Sequence, residues 1–342
     1  MSERPRVARL LICIVLGAAS GGYAYLFATV SRTWKQDLAQ VWFAARMILA
    51  NRNPYDLIGP GLEFSWPAPF FYPLPAAVAA TPLAPLPEPI AMAVFAAAAG
   101  GLFAWALTQH GYAPLLAFAS PCVWQAFEVV QWSPLFAAAT VILPLSVLLV
   151  AKPTIGFAIF AARPSRWAIG GGVVLAVIAF AVQPTWVEDW RRALGSQSYV
   201  AGVGFPYMVP ATLPGGVLVL TVLLRWRRSE ARLLAALVCV PQTLLPYEAV
   251  LLYLVPRGWL QCATMMWLTY AMWSTMHRSA HPDIVVNLAG YISESGRAIV
   301  LFLYLPAALM VILRRNEGPI PAWLEERLGR LPSWLRGVPT HT

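Results

Sequence analysis

The sequence predicts an all-α polytopic integral membrane protein of about 10–12 transmembrane helices. Three observations predict it. Of 342 residues, 59% are hydrophobic and 11% are charged, whereas soluble domains carry roughly 25% charged residues. The apolar residues come in blocks, many near the roughly 17–25 residues that cross a bilayer. Arginine and lysine stand at the ends of those blocks, as the positive-inside rule requires. The net charge of +9 therefore marks topology and phospholipid contact, and nucleic-acid binding is rejected. A single transmembrane domain over 1–315 and a tail at 316–342 follow.

Taken in order, Arg4, Arg6 and Arg9 hold the N-terminus in the cytoplasm. "LLICIVLGAASGGYAYLFATV" is long for a signal-peptide core and has no clear cleavage site. It reads as a retained first span over about 10–30, and residues 31–67 become an external loop. "PAPFFYPLPAAVAATPLAPLP" is expected to return as a proline-rich span, and "PIAMAVFAAAAGGLFAWALTQ" to lead out again. Shorter apolar pieces near 113–128 and 132–150 read as broken or re-entrant helices. Lys152 and "PTIGFAIFAA" follow. "RPSRW" at 163–167, "RWRRSEAR" at 225–232, Arg257, Arg314 and Arg315 mark inside ends, and 184–210 is a second external loop. Both termini are then cytoplasmic. "GGG" at 170–172 predicts close helix packing. The tail, with Trp323, Leu324, Leu328, Leu331, Trp334 and Leu335 among basic residues, reads as an amphipathic helix on the inner leaflet.

Cys13, Cys122, Cys239 and Cys262 have no metal-type spacing and read as buried small hydrophobes. His277 and His281 have a chelating spacing, but Pro282 follows and no third ligand is evident, so they read as a loop pair. No metal or other cofactor is expected, though a divalent ion stays open. No phosphate-cradling glycine loop and no internal repeat appears.

The polar insert "DLAQVWFAARMILANRNPYDL" interrupts this pattern. Wound as a helix, it puts Leu38, Val41, Trp42, Ala45, Ile48 and Leu49 on one stripe. Asp37, Gln40, Ala44 and Asn51 share one flank, and Arg46 sits on the other. This is an amphipathic helix expected along the outer membrane surface. Asp37 has two readings: an N-cap that complements the helix dipole, or a carboxylate at the membrane boundary placed to act as a general base. The residue before Pro54 is pushed out of helix, so Asp56 reads as a turn residue.

Five patterns, in order along the chain, carry a family resemblance. They are Asp37 through "NRNPYD", "FFYPLP" with "TPLAPLP", "VQWSPL" at 130–135, "AKPTIG" at 151–156, and "PYEAVLLYLVP" at 246–256. Together they resemble the membrane-embedded glycosyltransferases of the GT-C fold class that use polyprenyl-phosphate sugars, most of all glycosyltransferase family 87, whose members include mannosyltransferases. The chain departs from the pattern in three places: Val130 stands where the family has glycine, Ser133-Pro134 replaces an asparagine, and the second proline of the span-two entry is displaced to Pro75.

The resemblance implies a GT-C-like bundle and inverting transfer of a sugar, mannose first, from a polyprenyl phosphate to a lipid or glycan acceptor on the extracytoplasmic face of a bacterial inner membrane. Asp37 would be the general base. Lys152 is the first choice for the donor phosphate, with a snorkelling anchor as its other reading. Arg191 and Arg192 are second candidates, with Glu188 or Asp189 as ion partners. Gln131, Tyr72, Tyr247 and Glu248 would line the sugar pocket, or stand as interfacial and helix-end polar residues. Glu248 is the reserve base. Two other classes stay in view. A transporter or lipid flippase predicts ionisable residues at span centres, where few are found, and a scaffold leaves the Asp37 helix unexplained.

Overall fold

The computed structural model describes residues 3–30, 35–195, 208–279 and 288–314. It is helical almost throughout, and among the described residues its only named strands, Ile58–Gly59 and Phe64–Ser65, pair in parallel. Among the described residues, three helices are long and apolar enough to cross a membrane: Arg6–Val30, Glu88–Leu107 and Glu294–Ile312. A fourth candidate is the pair Arg166–Val182 and Trp186–Gly195, bent by 96°. Such a fold is an all-α membrane bundle.

The helix α1 (Glu3–Val30) leads to α2 (Asp37–Leu49), the short α3 (Leu74–Ala79) and α4 (Glu88–Leu107). Small residues let α1 and α4 touch along their backbones. A Cβ added at Gly17 would lie 2.7 Å from the Ala97 carbonyl oxygen, and one at Gly21 would lie 2.8 Å from that of Ala93. Farther down, Arg9 Nε donates to Thr108 Oγ1 at 2.8 Å. The order of these contacts makes the two helices antiparallel.

That register corrects the expected path. Glu88 lies at the same end as Val30, so residues 68–87 do not cross, and α4 runs back alongside α1. Prolines at 67, 69, 73, 75, 82, 85, 87 and 89 explain the difference. Each removes an N–H and clashes with the preceding turn, which leaves α3 six residues long. Trp42 Nε1 donates to the Leu86 carbonyl at 3.1 Å and holds this segment against α2. The helix α2 is accordingly packed on more sides than a surface helix: Gln40 and Ala44, on its polar flank, are buried, while Leu49 is exposed.

Of the other apolar blocks, α11 (Gly258–Ser279) is an unbroken helix of 22 residues, and the rest form shorter pieces: α5 (Pro121–Glu128), α6 (Ser133–Ala139), α7 (Pro153–Ala162), α8 (Arg166–Val182), α9 (Trp186–Gly195), α10 (Ser229–Cys239), α12 (Leu288–Ile299) and α13 (Leu305–Ile312). A π turn, Val300–Tyr304, joins the last two. Between them run 3-10 segments Ala113–Ala119, Leu143–Ala151, Gly216–Arg225 and Pro246–Leu254. At about 2 Å rise per residue, none of these reaches across a core of roughly 30 Å. The apolar blocks read from sequence as spans are therefore in large part broken.

One end of the bundle gathers the arginines. Arg163 donates to the Thr140 carbonyl at 2.6 Å, and Arg232 to that of Ala162 at 2.9 Å. Arg257 and Arg314 pair with Glu230 at 2.8 and 3.2 Å. The expected inside clusters thus share one end. Of the "GGG" run, only Gly171 is at a close contact, where a Cβ would overlap Val147; Gly170 and Gly172 face open space. Cys13, Cys122 and Cys262 are buried, but Cys239 is exposed at the end of α10. The tail at 316–342, Arg315, His281 and the side chain of His277 lie outside the described residues.

Candidate active site

At the opposite end, residues far apart in sequence converge on the start of α2. Gln36, not Asp37, holds the N-cap position, and no side chain caps the helix there. Gln36 instead donates to the carbonyls of Ala24 and Glu128, both at 2.9 Å, and fixes the α1–α2 corner against the end of α5. The Asp37 backbone N–H donates to the Val129 carbonyl at 2.8 Å. Its carboxylate is left free of helix capping and accepts a short hydrogen bond from Gln131 Nε2.

Gln131 is set by a strained turn. The Gln131 N–H donates to the Ala126 carbonyl at 2.8 Å, with Val130 at φ 48°. This is the Schellman ending of α5, in which glycine normally takes the left-handed position. A β-branched residue there is a genuine outlier. Asn51, at φ 55°, closes α2 in the same way, with the Arg52 N–H on the Met47 carbonyl at 2.9 Å. Leu244, at φ 49°, precedes the Pro246–Leu254 segment that carries Tyr247 and Glu248. These three are the non-glycine residues with positive φ among the described residues, and all lie at the Asp37 end. Strain of this kind clusters at functional sites.

Lys152, the N-cap of α7, reaches into the same cluster. Its Nζ lies 2.6 Å from Glu248 Oε1, with side chains 18% and 2% exposed, and 5.6 Å from the Tyr247 ring centroid. Asp37 feels the charges of both Lys152 and Glu248. Tyr72 lies within electrostatic reach of the Tyr247 hydroxyl. The Tyr247 N–H donates to Gln125 Oε1 at 3.2 Å. Asp37, Gln131, Lys152, Tyr72, Tyr247 and Glu248 thus form one group. Because Gln131 and Lys152 both reach it, the segment between them, α6 with Leu143–Ala151, leaves this end and returns to it.

The electrostatics are those of a poised acid. Burial raises the Asp37 carboxyl to about 6; Lys152 and the Gln131 hydrogen bond lower it, and Glu248 raises it further. Three buried polar atoms in this neighbourhood have no hydrogen-bond partner: Gln131 Oε1, Trp132 Nε1 and Glu248 Oε2. Buried polar atoms in native proteins are nearly always satisfied, and exceptions call for a ligand, water or catalytic role.

Arg191 and Arg192 are placed elsewhere. Arg192 pairs with Asp189 and lies 3.5 Å from Asp56, and Arg191 is exposed. Buried Asp189 also accepts from Gln183 Nε2 at 2.6 Å, Thr185 Oγ1 at 2.9 Å and Asn53 Nδ2 at 3.3 Å. Glu188 is exposed on the same helix. This network clamps α9 to the turn at Pro54–Asp56, where Asn53 caps Tyr55 N–H at 3.0 Å. Asp56 is an exposed member of that turn. Tyr55 links the two clusters, its hydroxyl donating to the Tyr72 carbonyl at 3.0 Å.

Sequence reasoning missed Gln36, Asn53, Tyr55 and Gln183. Only the "NRNP" helix stop signalled any of them; a glutamine at a helix end has no local signature. Among the described residues, no three His, Cys, Asp or Glu side chains converge on a metal position. Comparison of the chain with protein-family models, curated proteins and solved structures finds no match. The resemblance to glycosyltransferases therefore rests on the five sequence patterns alone.

Proposed function

We propose that this protein is a membrane glycosyltransferase of GT-C type that uses a polyprenyl-phosphate sugar, mannose being the first to test. The observation that carries the reading is the meeting of Asp37, Gln131, Lys152 and Glu248 at one end of the bundle, each from a different motif of the resemblance. The acceptor hydroxyl oxygen attacks the anomeric carbon, and its proton passes to Asp37. The bond to the phosphate oxygen breaks, and the polyprenyl phosphate leaves with the electron pair. The inverted glycoside is the product.

Each residue has a role in that step. Gln131 fixes one Asp37 oxygen, so that the other can face the hydroxyl. Burial keeps the Asp37 carboxyl near 6, close to where a general base works best. Lys152 supplies positive charge for the leaving phosphate; in the ligand-free protein Glu248 balances it. The site then faces the extracytoplasmic side, with the arginine-rich end in the cytoplasm. Arg192 is left to the α9 clamp, and Arg191 is exposed on the same helix.

The test uses purified protein, labelled polyprenyl-phosphate mannose and a lipid acceptor extract. Transfer by the wild type and by Asp56→Ala, with loss in Asp37→Asn, is the expected result. Equal transfer by Asp37→Asn and wild type removes the assigned base. Flux of the lipid across proteoliposomes with no glycoside formed would instead indicate a flippase.

A further inference from the structure

The bundle has an apolar groove of about 990 Å³ on the flank of α8. One wall is α8 itself; the other is built by Val147 and Leu148 of the 3-10 segment, by α3 and by the end of α2. The helix α8 is barely embedded, since Ala179 is its only buried residue. Apart from the close contact of Gly171 with Val147, this leaves apolar surface on both walls for another molecule to fill.

Among the described residues, Arg166 is the one charged residue lining this groove. It is exposed, and among the described residues it has no ion pair or hydrogen bond. Its neighbours differ: Arg163 is held by the Thr140 carbonyl and Arg232 by that of Ala162. Trp167, 44% exposed, stands beside it as interfacial tryptophans do. Above them Gly170 opens the wall, with no atom within 4 Å of an added Cβ. From Arg166 the helix climbs about 15 Å in ten residues, half of a core roughly 30 Å thick.

On the membrane reading of the fold, we propose that the Arg166 half of this groove binds an anionic phospholipid of the inner leaflet, its phosphate on Arg166 and one acyl chain along Gly170 and Val174. Charge selects the headgroup: a free guanidinium at the mouth of an apolar groove favours an anionic head over a zwitterionic one. The length of α8 that one leaflet covers matches one chain. This lipid is separate from any reaction at Asp37, which lies at the other end of the bundle.

The test is thermal unfolding of the full chain in neutral detergent, titrated with phosphatidylglycerol, phosphatidylcholine or inorganic phosphate. Phosphatidylglycerol is expected to stabilise the wild type more than phosphatidylcholine, and inorganic phosphate not at all. Arg166→Gln is expected to weaken the phosphatidylglycerol effect about fivefold, the worth of one basic residue near a membrane surface. Gly170→Leu fills open space and raises helix propensity, so it folds, and it is expected to shrink the response to both lipids. An Arg166→Gln response equal to wild type overturns the headgroup assignment. A full shift with inorganic phosphate overturns the lipid, and an undiminished response in Gly170→Leu overturns the groove.

Discussion

The two polar ends of this bundle are made from opposite ends of the same segments, and they are satisfied differently. At the arginine end, Arg163, Arg232 and Arg314 donate to backbone carbonyls, and Glu230 is shared by Arg257 and Arg314. Arg227 Nε is the exception, buried without a partner. At the Asp37 end, Gln131, Trp132 and Glu248 each leave a buried atom unpaired, and the backbone is strained at Asn51, Val130 and Leu244. A saturated end holds helices together. An end with unmet hydrogen bonds and stored strain is arranged for a guest. The contrast supports the proposed role of the Asp37 end without reference to any relative.

Four experiments would break or sharpen that contrast. The largest effect is expected in Asp37→Asn, which keeps the shape and removes the base. Transfer should fall by roughly 10²–10⁴-fold, while Glu230→Gln at the other end leaves transfer unchanged per folded molecule. Comparable losses from both would erase the distinction.

Next in size is stability. Glu248→Ala strands a largely buried ammonium and should cost about 3–5 kcal/mol. At the other end Arg257→Ala removes a partner that is 54% exposed at its side chain and leaves Glu230 its pairs with Arg228 and Arg314, so it should cost less, about 0–1 kcal/mol. Denaturant unfolding of the two variants checks the order, and a reversed order contradicts it.

The pH response should also separate the ends. With the Asp37 carboxyl at about 6, kcat/KM should fall about tenfold per pH unit below that value. Stability runs the other way. A carboxyl raised by folding favours the protonated native state, so its contribution is full below the usual 3.8 and is lost as pH rises to about 6. Asp37→Asn should abolish both dependences, and in a Glu248→Gln variant the acid limb should persist but move to lower pH, because the Glu248 charge that raises the Asp37 carboxyl is gone.

The smallest effect concerns Val130. In an ordinary helix interior alanine is more stable than glycine. At a left-handed position the order inverts by about 1 kcal/mol. Val130→Gly should therefore be more stable than Val130→Ala, whereas Ala137→Gly within α6 should be less stable than wild type. Both are read from thermal midpoints.

Particular elements show what could be read in advance. The helix over α2, the helix stop at Asn53-Pro54 and the gathering of Arg163, Arg232, Arg257 and Arg314 are local patterns legible in the sequence, although the polar flank of α2 is buried and Leu49 of its apolar stripe is exposed. Asp37, Gln131, Lys152, Tyr72, Tyr247 and Glu248 could each be picked out as a polar residue at the end of an apolar block. The path of residues 68–87 could not, because periodicity reports which residues are apolar and not whether proline lets them cross. The left-handed turn at Val130 was equally invisible, since valine signals extended chain or helix core.

By itself, then, the sequence determined the membrane class, the inventory of polar helix ends and the gathering of Arg163, Arg232, Arg257 and Arg314, because hydropathy and charge act residue by residue against lipid and water. Tertiary structure alone decided that α4 returns beside α1, that Gln131 and not the helix backbone takes the Asp37 carboxylate, and that Lys152 meets Glu248. Those contacts join residues about a hundred positions apart. They exist because packing of small residues and breaks at proline bring particular helix ends together, and no local pattern records which ends will meet.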